Sequence, residues 1–359
     1  MFDRTTTRIA RRAFAAVVLS TLAVFASAAM AKDDYKIAWS IYVGWMPWDY
    51  AAQAGIVDKW AEKYGITIEV VQFNDYIESI NQYTIGAFDA CTMTNMDALT
   101  IPAAGGVDST ALIVGDFSNG NDGIVLKGAG KSLAEIKGQD VNLVELSVSH
   151  YMLARALTSI GLTERDLTVV NTSDADIVSA FATDDVTSVV TWNPLLAEIT
   201  AMPDTSPVFD SSMIPGEIID MLVVNTEALA DPRFGKALVG AWYETMAIMS
   251  GMGAAADAAK THMAEASGTD LAGYNAQLAA TQMFYTPGPA VEFVRSGALS
   301  ETMANVTAFS FEHGLLGEGA PDAGFVGIAL PGGDVLGSAN NVKLRFDDTY
   351  MKMAADGKL

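Results

Sequence analysis

"YKIAWSIYVGWMPWDYAAQAGIVDKWAEKYGITIEVVQF", residues 35–73, reads in one run as a strand, an aromatic loop, a helix and a second strand. The β-type run "YKIAWSIY" opens it, and the apolar spacing of "YAAQAGIVDKWAEKYG" predicts a helix that Gly65 stops. "ITIEVVQF" is the second strand, followed by a helix over "YIESINQYTIGAF", a short strand in "DACTMTN" and a brief helix in "MDALTIPAAGG". Such alternation argues for a parallel sheet with helices on its faces. The pattern then restarts with "DGIVLKGAG", "SLAEIKGQDVNLVEL", "SHYMLARALTSIGL", "LTVVNT", "DADIVSAFAT" and "VTSVVTW". "EIIDMLVVNTEAL" supplies another apolar β-type run, after which the chain reads as largely helical.

The length of 359 residues, half of them apolar, suffices for two lobes with real cores. Residues 1–31 read as an export leader: Arg8, Arg11 and Arg12, then "AFAAVVLSTLAVFASA", then "AMA" before Lys32. The competing reading is an uncleaved anchor, which the small-residue ending disfavours. Export implies an oxidising compartment, yet Cys91 is the only cysteine, so packing rather than disulfides must hold the fold. Forty-three acidic against 21 basic residues give a formal charge of −22 and make nucleic acid an improbable partner.

Two α/β lobes with two chain crossings place one junction near Asn121 to Val125 and the other near Met221 to Asn225. Expected segments are therefore 32–121 for the first part of lobe 1, 122–222 for lobe 2, and 223–359 for the rest of lobe 1 with the C-terminal helices. Ligands of open α/β sheets bind where loops converge at the carboxyl ends of strands. That rule selects Tyr42 to Tyr50, Thr92 to Asp97, Glu145 to His150 and Trp192 to Pro194, with Asp220 near the return crossing.

With these motifs in order, the chain resembles the periplasmic solute-binding proteins of ABC importers for nitrate, sulfonates, taurine and thiamine precursors. The resemblance rests on "GWMPWDYAAQAGIVDKW", "GAFDACTMTNMDAL", the crossover segment from "NDGIVLKGAGK" to "SHYMLARAL", "VVTWNPLLAEI" and "MLVVNTEAL". It implies a type II periplasmic binding fold, two α/β lobes joined by a two-crossing hinge, that closes on a small solute and presents it to a membrane permease. Within that branch the chain looks most like the subgroup associated with urea carboxylase-type enzymes, linked to urea or guanidine.

The loops themselves speak to the solute. An anion calls for Arg, Lys or clustered backbone N–H groups. The first, second and fourth loops have no Lys or Arg; they carry Tyr42, Trp45, Trp48, Asp49, Asn95, Asp97 and Trp192, while the third adds Glu145 and Ser147 and Asp220 lies at the crossing. Carboxylates among Trp faces suit a small cation, which the rings attract by their quadrupoles and the acids hold by charge-assisted hydrogen bonds. The site set is therefore Tyr42, Trp45, Trp48, Asn95, Asp97, Glu145, Ser147, Trp192 and Asp220. Several have a plainer structural role: core packing for Trp45 and Trp48, helix capping around Asp97, a structural hydrogen bond to the "SVSH" backbone for Glu145, a hinge tie for Asp220. Arg155 lies further along the helix, and Asp49 fits a first-turn acid. His150 stands far in sequence from His262 and His313, no metal-ligand spacing exists, and no nucleophile or phosphate-loop motif is present.

The expected protein is thus a non-enzymatic, monomeric periplasmic binder for guanidinium, without cofactor or metal, serving an inner-membrane ABC permease. Urea, or another small amine or quaternary ammonium, is the alternative solute. An enzyme on the same fold and a chaperone or sensor subunit are the rival classes.

Overall fold

The computed structural model describes residues 32–359, so the leader expected over 1–31 lies outside the described residues. Strand β1 (Asp34–Ser40) is buried on both faces from Ile37 onward, as a parallel strand beneath helices must be. It pairs in parallel with β2 (Thr67–Phe73) and β3 (Ala90–Thr94). The helix expected between β1 and β2 is two helices, α1 (Met46–Gln53) and α2 (Ile56–Tyr64). Gly55 causes the break: it takes a left-handed φ of 70°, which interrupts the helical hydrogen bonds, while Gly65 stops α2 as expected. Helices α3 (Tyr76–Thr84) and α4 (Asn95–Ala98) follow β2 and β3.

β4 (Ser109–Ser118) is a ten-residue strand at the centre of the larger sheet that the sequence reading passed over. The chain then enters a second sheet through β5 (Asp122–Lys127), β6 (Asp140–Leu143), β7 (Thr168–Asn171), β8 (Ser188–Trp192) and β9 (Thr205–Asp210). Helices α5 (Val148–Ser159), α6 (Asp174–Phe181) and α7 (Leu195–Thr200) cover it. β10 (Ile219–Asn225) returns to the larger sheet, antiparallel between β3 and β4. The chain therefore crosses between Ser118 and Asp122 and again between Asp210 and Ile219.

Helix α8 (Pro232–Met249) packs on α2. The remainder, expected to be largely helical, also contains β11 (Thr281–Met283), β12 (Gly327–Ala329), β13 (Val335–Leu336) and β14 (Val342–Phe346). The larger sheet runs β13-β12-β14-β4-β10-β3-β1-β2, with β11 on the end of β4, and the smaller runs β7-β6-β8-β5-β9. β5 and β10, the strands that follow each crossing, lie inside their sheets, whereas β2 and β7 are outer edges.

Gly240 shows how tightly α8 sits. A Cβ there would lie 2.3 Å from the Trp60 ring, whose Nε1 donates to Glu244 at 2.7 Å. Ala normally stabilises a helix interior by about 1 kcal/mol over Gly. Here overpacking reverses the sign: we expect Gly240→Ala to cost about 1–3 kcal/mol, read as a lower midpoint in urea unfolding, and a raised midpoint would contradict this packing.

Candidate functional site

Strand register assembles the site. On β10, Asp220 lies opposite Thr94 of β3 on one side and Asp116 of β4 on the other; in the second sheet Asp122 of β5 lies opposite Trp192 of β8. Asp220, Thr94, Asp122 and Trp192 face a common seam, joined by Tyr42, Trp45, Tyr76, Val148 and Ile218. The space left between them is about 10 Å³, room for a single water. Four rings line up across it: Tyr42 to Trp45 at 5.1 Å, Trp45 to Tyr76 at 5.4 Å, and Tyr76 edge-on to Trp192 of the smaller sheet at 5.7 Å.

Behind this lining stand two more carboxylates. Tyr76 donates its hydroxyl to Asp97 at 2.7 Å, as does Thr94 at 2.8 Å, and Tyr42 donates to Asp116 at 3.2 Å. Gly44 makes room for Asp116: a Cβ there would lie 2.3 Å from Oδ2. One oxygen each of Asp97, Asp116 and Asp220 has no hydrogen-bond partner among the described residues, nor has Trp45 Nε1. No Lys or Arg lines the space.

Burial controls the charge of these groups. Desolvation pushes Asp97 up to about 6 and Asp116 and Asp122 up to about 7, hydrogen bonds from Tyr76, Tyr42 and Ser118 offsetting part of the rise. Asp220 goes well above the ordinary carboxylate range, by desolvation and then by the charges of Asp116 and Asp122. Two carboxyls directly opposite on neighbouring strands cannot both ionise cheaply, which holds Asp220 above the ordinary carboxylate range.

Of the nine residues expected at the site, Tyr42, Trp45, Trp192 and Asp220 line the space. Asp97 lies one step behind it, holding Tyr76. Trp48 turns into the core against Trp242, ring centroids 5.4 Å apart. Asn95 ties α4 to the return strand, donating to the Glu217 carbonyl and accepting from Ile219 N, both at 3.1 Å. Glu145 is exposed, because β6 ends at Leu143 and the following turn carries its side chain outward. Ser147 caps α5, accepting from Ser149 N at 3.2 Å, so its contribution is to place the neighbouring Val148. Arg155 is held by Glu217 through two bonds of 2.7 and 2.8 Å, and Asp49 by His262 at 2.7 Å. Tyr76, Thr94, Asp122, Val148 and Ile218 complete the lining. Tyr76 follows a strand end and was within reach of the loop rule; Asp122 was noted only as a crossing, and Asp116 sits in the strand that was passed over.

His150 and His313, remote in sequence, have ring centroids 5.3 Å apart and converge with Glu164. Leu146 N–H donates to His150 Nδ1 at 3.1 Å, which puts that ring's proton on Nε2, 3.3 Å from Glu164. His313 offers Nδ1 to the Phe309 carbonyl at 2.9 Å and Nε2 to Glu164 at 2.9 Å. Both rings thus converge on one carboxylate, and the buried His150 Nε2 makes no hydrogen bond among the described residues.

Two lobes, two mixed sheets and a seam between them define a type II periplasmic binding protein fold. Residues 60–227 match the family model described as NMT1/THI5 like. Among solved structures the chain is similar to the alkanesulfonate-binding protein SsuA of Xanthomonas axonopodis pv. citri bound to MOPS, with a TM-score of 0.65 and 17% identity over 87% of this chain and 98% of that one. It is also similar to the periplasmic nitrate-binding protein NrtA of Synechocystis PCC 6803, with a TM-score of 0.62 and 13% identity over 91% and 89%. A putative binding protein of Brucella abortus (strain 2308) is 24% identical over 178 residues. The alignment spans about half the length of that relative, 50% of each chain.

The raised carboxyls fix a sign for stability. A group whose pKa is higher folded than unfolded binds more protons in the native state, so stability falls as pH rises between the two values. For Asp97, Asp116 and Asp122 that window runs from about 4 to about 7. We expect the ligand-free protein to melt at a lower temperature at pH 8 than at pH 5.5, and Asp116→Asn to shrink the difference. A melting temperature that climbs over the same interval would contradict the assignment.

Proposed function

We propose that the chain is the solute-binding component of an ABC importer, working in the periplasm as a monomer and capturing a small nitrogen-rich cation, guanidinium foremost. The observation that carries this reading is the seam lining: Asp122 and Asp220 on opposite lobes, aromatic faces between them, and no Lys or Arg. A planar guanidinium stacks by its face on Trp or Tyr and donates from its edge to carboxylates, using both features. The space as it stands holds one water, so any solute must part the lobes, and a solute of four heavy atoms requires less widening than a sulfonate or choline. The similar proteins are described as binding sulfonates and nitrate, and a lining without a basic side chain is the wrong chemistry for either. The importer role rests on the fold and on those relatives. Nothing in the seam supplies an activated nucleophile, so binding rather than catalysis is the reading supported.

Urea is the second reading, favoured by one observation: the Trp45 Nε1–H has no acceptor and would suit urea's oxygen, as would a protonated carboxyl. pH separates the two. Guanidinium needs ionised carboxylates, so its affinity rises as pH climbs from 6 to 8.5, whereas urea loses its carboxyl donor and weakens. At about −1.5 kcal/mol per heavy atom, guanidinium should bind with a Kd of the order of 10 to 100 μM, and Asp122→Asn should cost about 1.5–3 kcal/mol. Calorimetric titration of both solutes across that range tests the proposal; urea binding as tightly as guanidinium at pH 8, or Asp122→Asn leaving guanidinium unchanged, would overturn it.

A further inference from the structure

β2 and β7 are edge strands, one of the larger sheet and one of the smaller. The helices that follow them, α3 and α6, meet by their N-termini across the mouth of the seam. Asp75 caps α3 by accepting from Glu78 N at 2.8 Å, and its other oxygen accepts from the Ser173 hydroxyl at 3.0 Å. Ser173 in turn caps α6, accepting from Ala175 N at 3.3 Å. Asp174 reaches back and accepts from Tyr76 N, the first amide of α3, at 3.4 Å. The start of α3 is thus held by a side chain of the opposite lobe, and Asp75 of α3 grips the capping hydroxyl of α6. Asp174 is only 8% exposed and has no Arg or Lys partner among the described residues; burial and then the charge of Asp75 push its carboxyl up to about 6, and the amides at the starts of α3 and α6 offset part of that rise.

Tyr76 gives this contact its consequence. Its amide is held by Asp174, its ring walls the seam against Trp192, and its hydroxyl is fixed by Asp97. We propose that Ser173 and Asp174 form a clasp that holds the lobes shut and sets Tyr76 in place without touching the solute. They are positioning residues, and their effect is on how long a bound solute stays. The inference rests on the seam being the solute site, as proposed above, yet closure can be read without any solute.

The test uses spin labels at Glu62→Cys and Asp184→Cys, one exposed position per lobe, Cys91 being fully buried. In the empty protein, Asp174→Ala should shift the interlabel distances to longer values. Asp174→Asn, which keeps the acceptor for Tyr76 N, should leave them as in wild type. Ser173→Ala alone is the second variant, leaving Asp174 in place. Stopped-flow kinetics with guanidinium should show dissociation about tenfold faster in Asp174→Ala, the scale of one lost hydrogen bond to a charged group, with association little altered. Coincident distance distributions for wild type, Asp174→Ala and Ser173→Ala would overturn the clasp. Distances that shift as expected while guanidinium binds no form of the protein would uphold the clasp and remove the solute assignment.

Discussion

Four carboxyls, those of Asp97, Asp116, Asp122 and Asp220, are buried at the seam of two lobes with no salt bridge to any of them among the described residues. Burying an unpaired carboxylate is expensive, and a protein escapes the cost only by protonating it or supplying a cation. The local design follows from that constraint. Tyr42 and Tyr76 are neutral donors, able to hydrogen-bond a carboxylate without neutralising it. Gly44 lacks the Cβ that would displace Asp116, and the register of β10 with β4 sets Asp220 against Asp116 so that the two do not both ionise cheaply.

On the proposed reading the same constraint would couple closure to charge: burial in the closed, empty seam favours protonated acids, and a cation between Asp122 and Asp220 would replace those protons as the source of positive charge. Aromatic walls would make that exchange selective, since they reward a flat or weakly hydrated cation more than a compact, strongly hydrated one. The proposal of a cation on a fold shared with binders of sulfonate and nitrate is consistent with sheets that fix where loops converge and loop chemistry that decides what they hold.

Much of this was legible in the chain. Alternating strands and helices over 35–98 marked three of the nine strands of the larger sheet, because periodicity is strong where one face of each helix is buried. β4 and β10 are harder cases: both are buried throughout, so their apolar runs carry no alternation, and β4 was missed although it holds Asp116. Tyr42, Trp45 and Trp192, selected by the loop rule, line the seam because position at a strand's carboxyl end is a local property, whereas Asp220 does so from the amino end of β10, at the return crossing. The rule misplaced Glu145 and Trp48, because the direction in which a turn or first helical residue points depends on backbone angles that residue type does not fix. His150 and His313 meet through a tertiary contact between α5 and the helix over Gly297–Glu312, for which sequence separation offers no cue.

Proton counting addresses the central claim without presuming any one contact. Guanidinium should be titrated into the protein at pH 7 in two buffers of different ionisation enthalpy. If buried carboxyls exchange protons for the cation, the apparent binding enthalpies will differ by an amount corresponding to net proton release. Equal enthalpies in the two buffers, with binding intact, would mean that the carboxyls do not change charge on binding and would contradict the account.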